Sequence, residues 1–274
     1  MRSVRLIGVI ALALVLGGCI NSTTVIHVRS DGTGTIDQST TMTAQAAAQM
    51  KAMMAGFGEA GKEKPASTGL FSEKDMREAA AKMGEGVTFV SAQPIHTAQQ
   101  EGMRATYAFT DIRKLRLSEK PNAPGGGGGM PTVGGSDAED LQFRFARTPS
   151  GSSVITVVFP QPKPDAKPEK PEAKPSAGDN PQALAMLKEL FNGLKISVSL
   201  EPVGRILKTN SPYVEGQRVT LFEMDFGELL GDPAMLEKMQ AAGSIEEAKV
   251  FLKGRKGIKV NLDREVTVEF AGAK

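Results

Sequence analysis

Residues 22–43 read STTVIHVRSDGTGTIDQSTTMT. Two runs rich in β-branched residues, 22–29 and 34–43, flank Asp31-Gly32-Thr33-Gly34. An Asp-Gly pair between such runs is the chemistry of a β-hairpin, because the favoured tight turns need positive φ, which glycine takes at little cost. The hairpin predicts a sheet as the base of the fold.

Upstream of the hairpin, Arg2 and Arg5 precede an unbroken apolar run, Leu6 to Leu16 (LIGVIALALVL), which ends in Gly17-Gly18-Cys19. A basic start, a short apolar run and small residues are the layout of a secretory signal. The run is too short for the ~20 residues of a spanning helix. Leu16-Gly17-Gly18-Cys19 resembles the lipobox of bacterial lipoproteins. That resemblance implies a diacylglyceryl thioether on Cys19 and cleavage between Gly18 and Cys19. It makes residues 1–18 a signal peptide and ties the protein to a membrane. Cys19 is the single cysteine of the chain. Ile20 follows it where an inner-membrane retention signal would place Asp, so the outer membrane is the expected address in a host that has one. The first strand then starts close to the anchor.

The charge count excludes one class of partner. The chain holds 33 Lys+Arg and 31 Asp+Glu, but Arg2 and Arg5 lie in the signal, which carries no acid. The mature chain is formally neutral, with no basic field to gather nucleic acid. Aromatic residues make up 5% with no Trp, against 13 Met, so Met and Ala are expected to fill much of the core.

Downstream, the pattern predicts helix and strand in alternation. Met50, Met53, Met54 and Phe57 recur at helical spacing over 44–57. Ser72 and Asp75 look like a capping box before a helix with Met76, Ala79, Ala80 and Met83 on one face. Strands are expected at 87–92, 103–110, 141–145 and 154–159, with Asp111 capping a short helix through Leu115. Five glycines (125–129) interrupt the chain, and a Pro/Lys/Glu stretch over 160–180 reads as an extended, solvated linker between region 19–159 and region 181–274. A helix with Leu184, Leu187, Leu190 and Phe191 should follow, then strands near 195–201 and 217–224, with 205–213 as a loop. Asp232-Pro233 opens a helix carrying Met235, Leu236 and Met239, and Ser244 with Glu247 forms a second capping box for a helix to Leu252. Ile258 to Phe270 reads as a hairpin or one long strand.

Residues 101–115 (EGMRATYAFTDIRKL) and 215–229 (EGQRVTLFEMDFGEL) share Glu-Gly-x-Arg-x-Thr, then Asp and Leu at matching offsets. Upstream, Val90-Ser91 and Pro94 match Val198-Ser199 and Pro202. Alternation slips in the second copy at Phe222 and Met224, which predicts a bulge there. The expected architecture is therefore α+β: an antiparallel sheet with packed helices, built from two duplicated α-β-β-α units.

No GxSxG, SxxK, HExxH, CxxC or P-loop is present, so no catalytic residue is assigned and no cofactor is expected. His27 and His96 are isolated and read as sheet or surface residues. Asp31 and Asp37 lack the other spaced oxygens of a calcium loop. Met50, Met53 and Met54 read as core, so no metal site is expected. Glu101/Arg104 and Glu215/Arg218 read as charges on solvated hairpin faces.

Two segments, VIHVRSDGTGTID (25–37) and VGRILKTNSPYVEGQRVTLFEMD (203–225), are similar to the LppM-like group of bacterial lipoproteins. Those chains carry a strand with a DGxG turn, and later a strand pair marked by Pro-Gly and Asn-Gly before a capped helix. Here Pro202-Val203-Gly204 displaces the glycine by one residue, and Ser211 follows Asn210 in place of the second glycine. The resemblance implies an α+β ectodomain associated with envelope lipid or glycolipid, and no catalytic residues. The expected function is a membrane-anchored, non-enzymatic binding or scaffolding module that contacts envelope proteins. The alternatives are a carrier that holds an acyl chain between helix 44–57 and the sheet, and a hydrolase of a kind without a known motif.

Overall fold

A computed structural model describes residues 20–48, 51–52, 72–117, 140–160, 193–232, 234, 238 and 245–272. The signal, Gly18 and Cys19 lie outside the described residues. So do Met50, Met53, Met54 and Phe57, the glycine run, residues 161–180, the 184–191 leucine stripe, Met235, Leu236, Met239 and Ser244.

The hairpin forms as its sequence predicts. β1 (Ile20–Val28) and β2 (Gly34–Thr43) pair antiparallel from Ile20↔Met42 to Val28↔Gly34. At the turn Asp31 Oδ1 accepts from the Thr33 backbone N–H at 3.0 Å and from its hydroxyl at 2.8 Å, and Gly32 takes φ +86°. These bonds to its charged form hold the Asp31 carboxyl below the usual carboxylate range. Gly34 is required for a second reason: a Cβ there would stand 1.9 Å from the His27 carbonyl oxygen.

β3 (Val87–His96) and β4 (Gln100–Phe109) extend the sheet from β2, and β7 (Lys195–Pro202) joins β1 in parallel. β10 (Arg218–Asp225) follows β7, and β11 (Ile258–Val260) and the short β9 (Val214–Glu215) pair with β10. The first sheet thus has eight strands in the order β11-β10-β7-β1-β2-β4-β3, with β9 off the end of β10. A second sheet holds β5 (Gln142–Arg147), β6 (Ser153–Val158), β12 (Glu265–Gly272) and β8 (Gly204–Thr209), in the order β5-β6-β12-β8. Strands from both sides of the Pro/Lys/Glu stretch enter both sheets, so regions 19–159 and 181–274 build one sandwich together.

The core lies between the sheets. Ile26, Ile36, Tyr107, Leu200 and Leu221 of the first pack with Ile155, Val157, Val268 and Phe270 of the second, all fully buried. α1 (Glu73–Lys82) closes one side with Ala80 and the following Met83, and the 3-10 turn Ile112–Lys114 adds Ile112 and Leu115. Asp111 caps that turn through the Arg113 backbone N–H at 2.9 Å, as the sequence predicts. A smaller cluster joins Met224, Leu229, Leu252, Ile258 and Val260, under α2 (Phe226–Gly231) and α3 (Ile245–Leu252).

The α+β expectation with packed helices is overturned: the described chain is mostly β and forms two facing sheets. Segment 205–213, expected as a loop, contains β8. Val203 hands the chain from the first sheet to the second immediately after Pro202, with Gly204 at φ +148°. Likewise 258–270 is neither hairpin nor single strand, because β11 joins the first sheet and β12 the second. Ser72 sits at the start of α1 without a side-chain cap.

The duplicated α-β-β-α units are also overturned. Register is equivalent over two positions: Ala92↔Ala105 and Ser91↔Thr106 in one pair, Leu200↔Val219 and Ser199↔Thr220 in the other. A bulge falls in β10 between Thr220 and Phe222, where the sequence predicts one, but its counterpart falls in the first strand of the other pair, between Phe89 and Ser91. β8 and β9 intervene between β7 and β10. Moreover β3 and β7 run in opposite directions, yet β3 to β4 and β7 to β10 step the same way across the sheet. Both pairs face the same core. No rotation that keeps the core face superposes them.

Candidate functional site

The period-two geometry of strands sorts the central hairpin into two faces. On the face turned away from the second sheet, Asp37 of β2 stands opposite Thr106 of β4, whose hydroxyl donates to Oδ1 at 2.8 Å. His27 Nε2 of β1 lies 3.2 Å from Asp37 Oδ2. His27 stands in register with Glu201 of β7, and Glu201 Oε2 accepts from Arg218 Nε and Nη2 at 3.1 and 3.0 Å. A polar row therefore crosses β10, β7, β1, β2 and β4. Its order matters chemically. Thr106 donates to a carboxylate and not to the imidazole, so the row lacks the nucleophile–imidazole contact on which activation of a hydroxyl depends.

The charged residues singled out in the sequence find other partners. Glu101 pairs with Lys51 at 2.6 Å, and this contact holds its carboxyl below the usual range. Glu215 pairs with Lys259 at 3.0 Å, and Arg218 with Glu201. Neither Glu101/Arg104 nor Glu215/Arg218 forms a pair. Asp31 stays in its turn and Asp37 on the sheet face, so the two do not converge. His96 ends β3 as an exposed residue. Among the described residues, no group of three or more His, Cys, Asp or Glu side chains is placed to hold a metal ion.

The opposite face of the hairpin carries what sequence reading missed. Ile26 and Ile36 join the sandwich core, and Ile20 and Met42 pack with Ala47 of the 44–48 helical turn. Between these apolar zones, on the same face, lie Ser22 opposite Thr40 and Thr24 opposite Gln38. Ser22 and Thr40 are buried, and Thr24 and Gln38 half-buried. None of the four side chains has a hydrogen-bond partner among the described residues. Met103 of β4 flanks Thr40 on one side, and Ile196 and Val198 of β7 flank Ser22 and Thr24 on the other. Four neutral hydrogen-bonding groups bordered by aliphatic side chains can take a neutral polar head and an apolar chain, or water. The signal was available: in a two-faced strand, Ser22 and Thr24 fall in phase with Ile26 and Val28 and not with His27.

Deeper in the core, Tyr107 is fully buried and its hydroxyl lacks a partner. Its ring meets Phe89 edge-on, centroids 6.0 Å apart at 74°. Burial pushes the phenol up to about 12.

Among the described residues no helix is long and apolar enough to cross a membrane. No family profile matches the chain, and no curated protein matches it. Among solved structures, the chain is similar to the NMR structure of the folded domain of LppM from Mycobacterium tuberculosis, at 7% identity and a TM-score of 0.27, over 94% of this chain and 92% of that one.

Proposed function

We propose that this protein is a bacterial envelope lipoprotein, anchored through lipid on Cys19, whose β-sandwich is a non-enzymatic binding or scaffolding module at the membrane surface. The observation that carries the reading is the lipobox Leu16-Gly17-Gly18-Cys19 immediately before β1, which makes the whole sandwich the anchored part. Two or three acyl chains on one residue give stable attachment where one chain gives only marginal binding. The broad polar face of the eight-stranded sheet, where His27–Asp37 and Glu201–Arg218 pair and Arg104 stands exposed, is the surface such a module offers to an envelope protein. The test is incorporation of an alkyne fatty acid in a lipoprotein-processing bacterium. The chain is expected to carry the label and to sediment with membranes, and Cys19→Ala to lose both. Equal sedimentation of unlabelled Cys19→Ala would sink the reading.

A second reading, a carrier of an amphiphilic lipid, is favoured by the Ser22/Thr24/Gln38/Thr40 row beside Met103 and Val198. These hydroxyl and amide groups have no partner among the described residues, so a bound polar head can take their hydrogen bonds in place of water. Native mass spectrometry of the ectodomain from Ile20 onward, made in a periplasm and purified without detergent, tests it. An adduct that extraction identifies as lipid supports the carrier, and a clean apo mass overturns it for the lipids of that host.

A further inference from the structure

We infer that the Ile20 end of the sandwich lies directly against the bilayer, so that the protein stands in one orientation and does not swing on a tether. This rests on the anchor at Cys19 proposed above. Lipoprotein ectodomains can hang from long flexible leaders, and here there is no room for one. Ile20 is already the first residue of β1, and consecutive Cα atoms lie about 3.8 Å apart. β1 is also an interior strand, hydrogen-bonded to β2 from Ile20 on and to β7 from Asn21 on. The lipid would therefore be fused to the middle of a rigid eight-stranded sheet, not to a fraying edge.

The registers identify what else lies at that end. Asn21 stands level with Lys195, Lys195 with Asp225, and the Asp225 backbone N–H donates to the carbonyl of Gly257 at 2.9 Å. The loop 253–257, which follows α3, is thus at the Ile20 end, as is the β3–β4 turn around Ala98, because Gln100 is opposite Thr43.

The chemistry of this end suits a bilayer surface. Val250, one turn before the loop on α3, is the most exposed large hydrophobic side chain among the described residues, at 59%. Lys253 beside it is exposed and forms no ion pair with a described residue. The carboxylates nearby are neutralised within the protein: Glu101 by Lys51, Glu228 by Lys256 at 3.1 Å, Asp232 by Arg255 at 3.7 Å. An aliphatic contact, a lysine able to reach phosphate and, among the described residues, paired carboxylates are the features that let a surface rest on headgroups. The other end of β1, with the exposed Asp31 turn, lies about 30 Å away for a nine-residue strand.

The single cysteine makes the test clean, because lipidation consumes its thiol and leaves an introduced cysteine as the sole reactive one. Lys253→Cys and Ala98→Cys mark the Ile20 end, and Gln217→Cys, in the exposed turn between β9 and β10, marks the other. Each lipidated full chain is labelled with a fluorophore and reconstituted in phosphatidylcholine vesicles containing a headgroup-nitroxide lipid. Strong quenching at 253 and 98 with little at 217 is expected. A twelve-residue Gly/Ser insert between Cys19 and Ile20, giving a tether of about 20 Å, should erase the contrast. Equal quenching at all three sites without the insert, or contrast that survives the insert, overturns the fixed stance. A chain that does not float with vesicles at all overturns the anchor itself, and with it the orientation.

Discussion

Asn261 donates its side-chain amide to the carbonyl oxygen of Leu221 at 2.7 Å, and to that of Thr220 at 3.1 Å. These two carbonyls stand at the bulge of β10, where the ladder to β7 loses register. The Asn261 carbonyl oxygen accepts from the Ser211 hydroxyl at 2.9 Å, so one buried amide ties the bulge to the segment after β8. Asn261→Ala strands two carbonyls and a hydroxyl in a site only 2% exposed. Equilibrium denaturation should show a loss of about 2–4 kcal/mol, with Asn261→Asp also destabilised because it cannot donate.

Tyr107→Phe should hold or raise stability at neutral pH, by up to about 1 kcal/mol, since it removes a buried hydroxyl that has no partner. Its effect at high pH is larger. The folded phenol titrates at about 12 and the unfolded one at its ordinary 10, so between these values the folded state binds more protons. Stability is complete below pH 10 and falls as pH rises through the window, by about 2–3 kcal/mol. Denaturation midpoints measured from pH 8 to 12 should show this fall in the parent and a shallower one in Tyr107→Phe.

Gly34→Ala should be among the most damaging single substitutions. The new Cβ would stand 1.9 Å from the His27 carbonyl oxygen and 2.5 Å from Phe109 Cζ, and the backbone at the head of the central hairpin cannot yield without breaking its pairing. A loss of roughly 3 kcal/mol is expected in denaturant titration. Gly231→Ala, where a Cβ meets nothing within 4 Å, is the matched control and should be within about 0.5 kcal/mol of the parent.

Thr40→Val separates the two functional readings without touching the anchor. Its hydroxyl has no partner among the described residues, so the change should leave folding within about 1 kcal/mol of the parent. For a lipid carrier, recovery of bound lipid by native mass spectrometry should fall several-fold. For a purely scaffolding module it should not change.

Much of the β-framework is legible from local chemistry. The Asp31-Gly32 turn, the alternation of Tyr107 and Phe109, the Asp111 cap and even the β10 bulge follow from short-range rules. The architecture does not, because it is decided by partners far apart in sequence. Nothing within 205–213 states that β8 will leave one sheet and pair with β12 in the other. The likeness of 101–115 to 215–229 reflects shared strand-to-cap junctions, and the opposite directions of β3 and β7 are invisible in a linear match. In the candidate site, Glu101 and Arg218 are picked out correctly as charged sheet residues. Their partners Lys51 and Glu201 are supplied by elements that only the tertiary fold brings alongside.

The parallel pairing of β1 with β7 also fixes an order of events during synthesis. β1 cannot complete its hydrogen bonds until a strand from far beyond the Pro/Lys/Glu stretch has been made. Such distant contacts carry a large loop-closure entropy and make folding slow. One edge of the central hairpin stays open through most of the chain's synthesis, inviting wrong strands to pair with it. A truncation anywhere before Lys195 leaves β1 without its parallel partner.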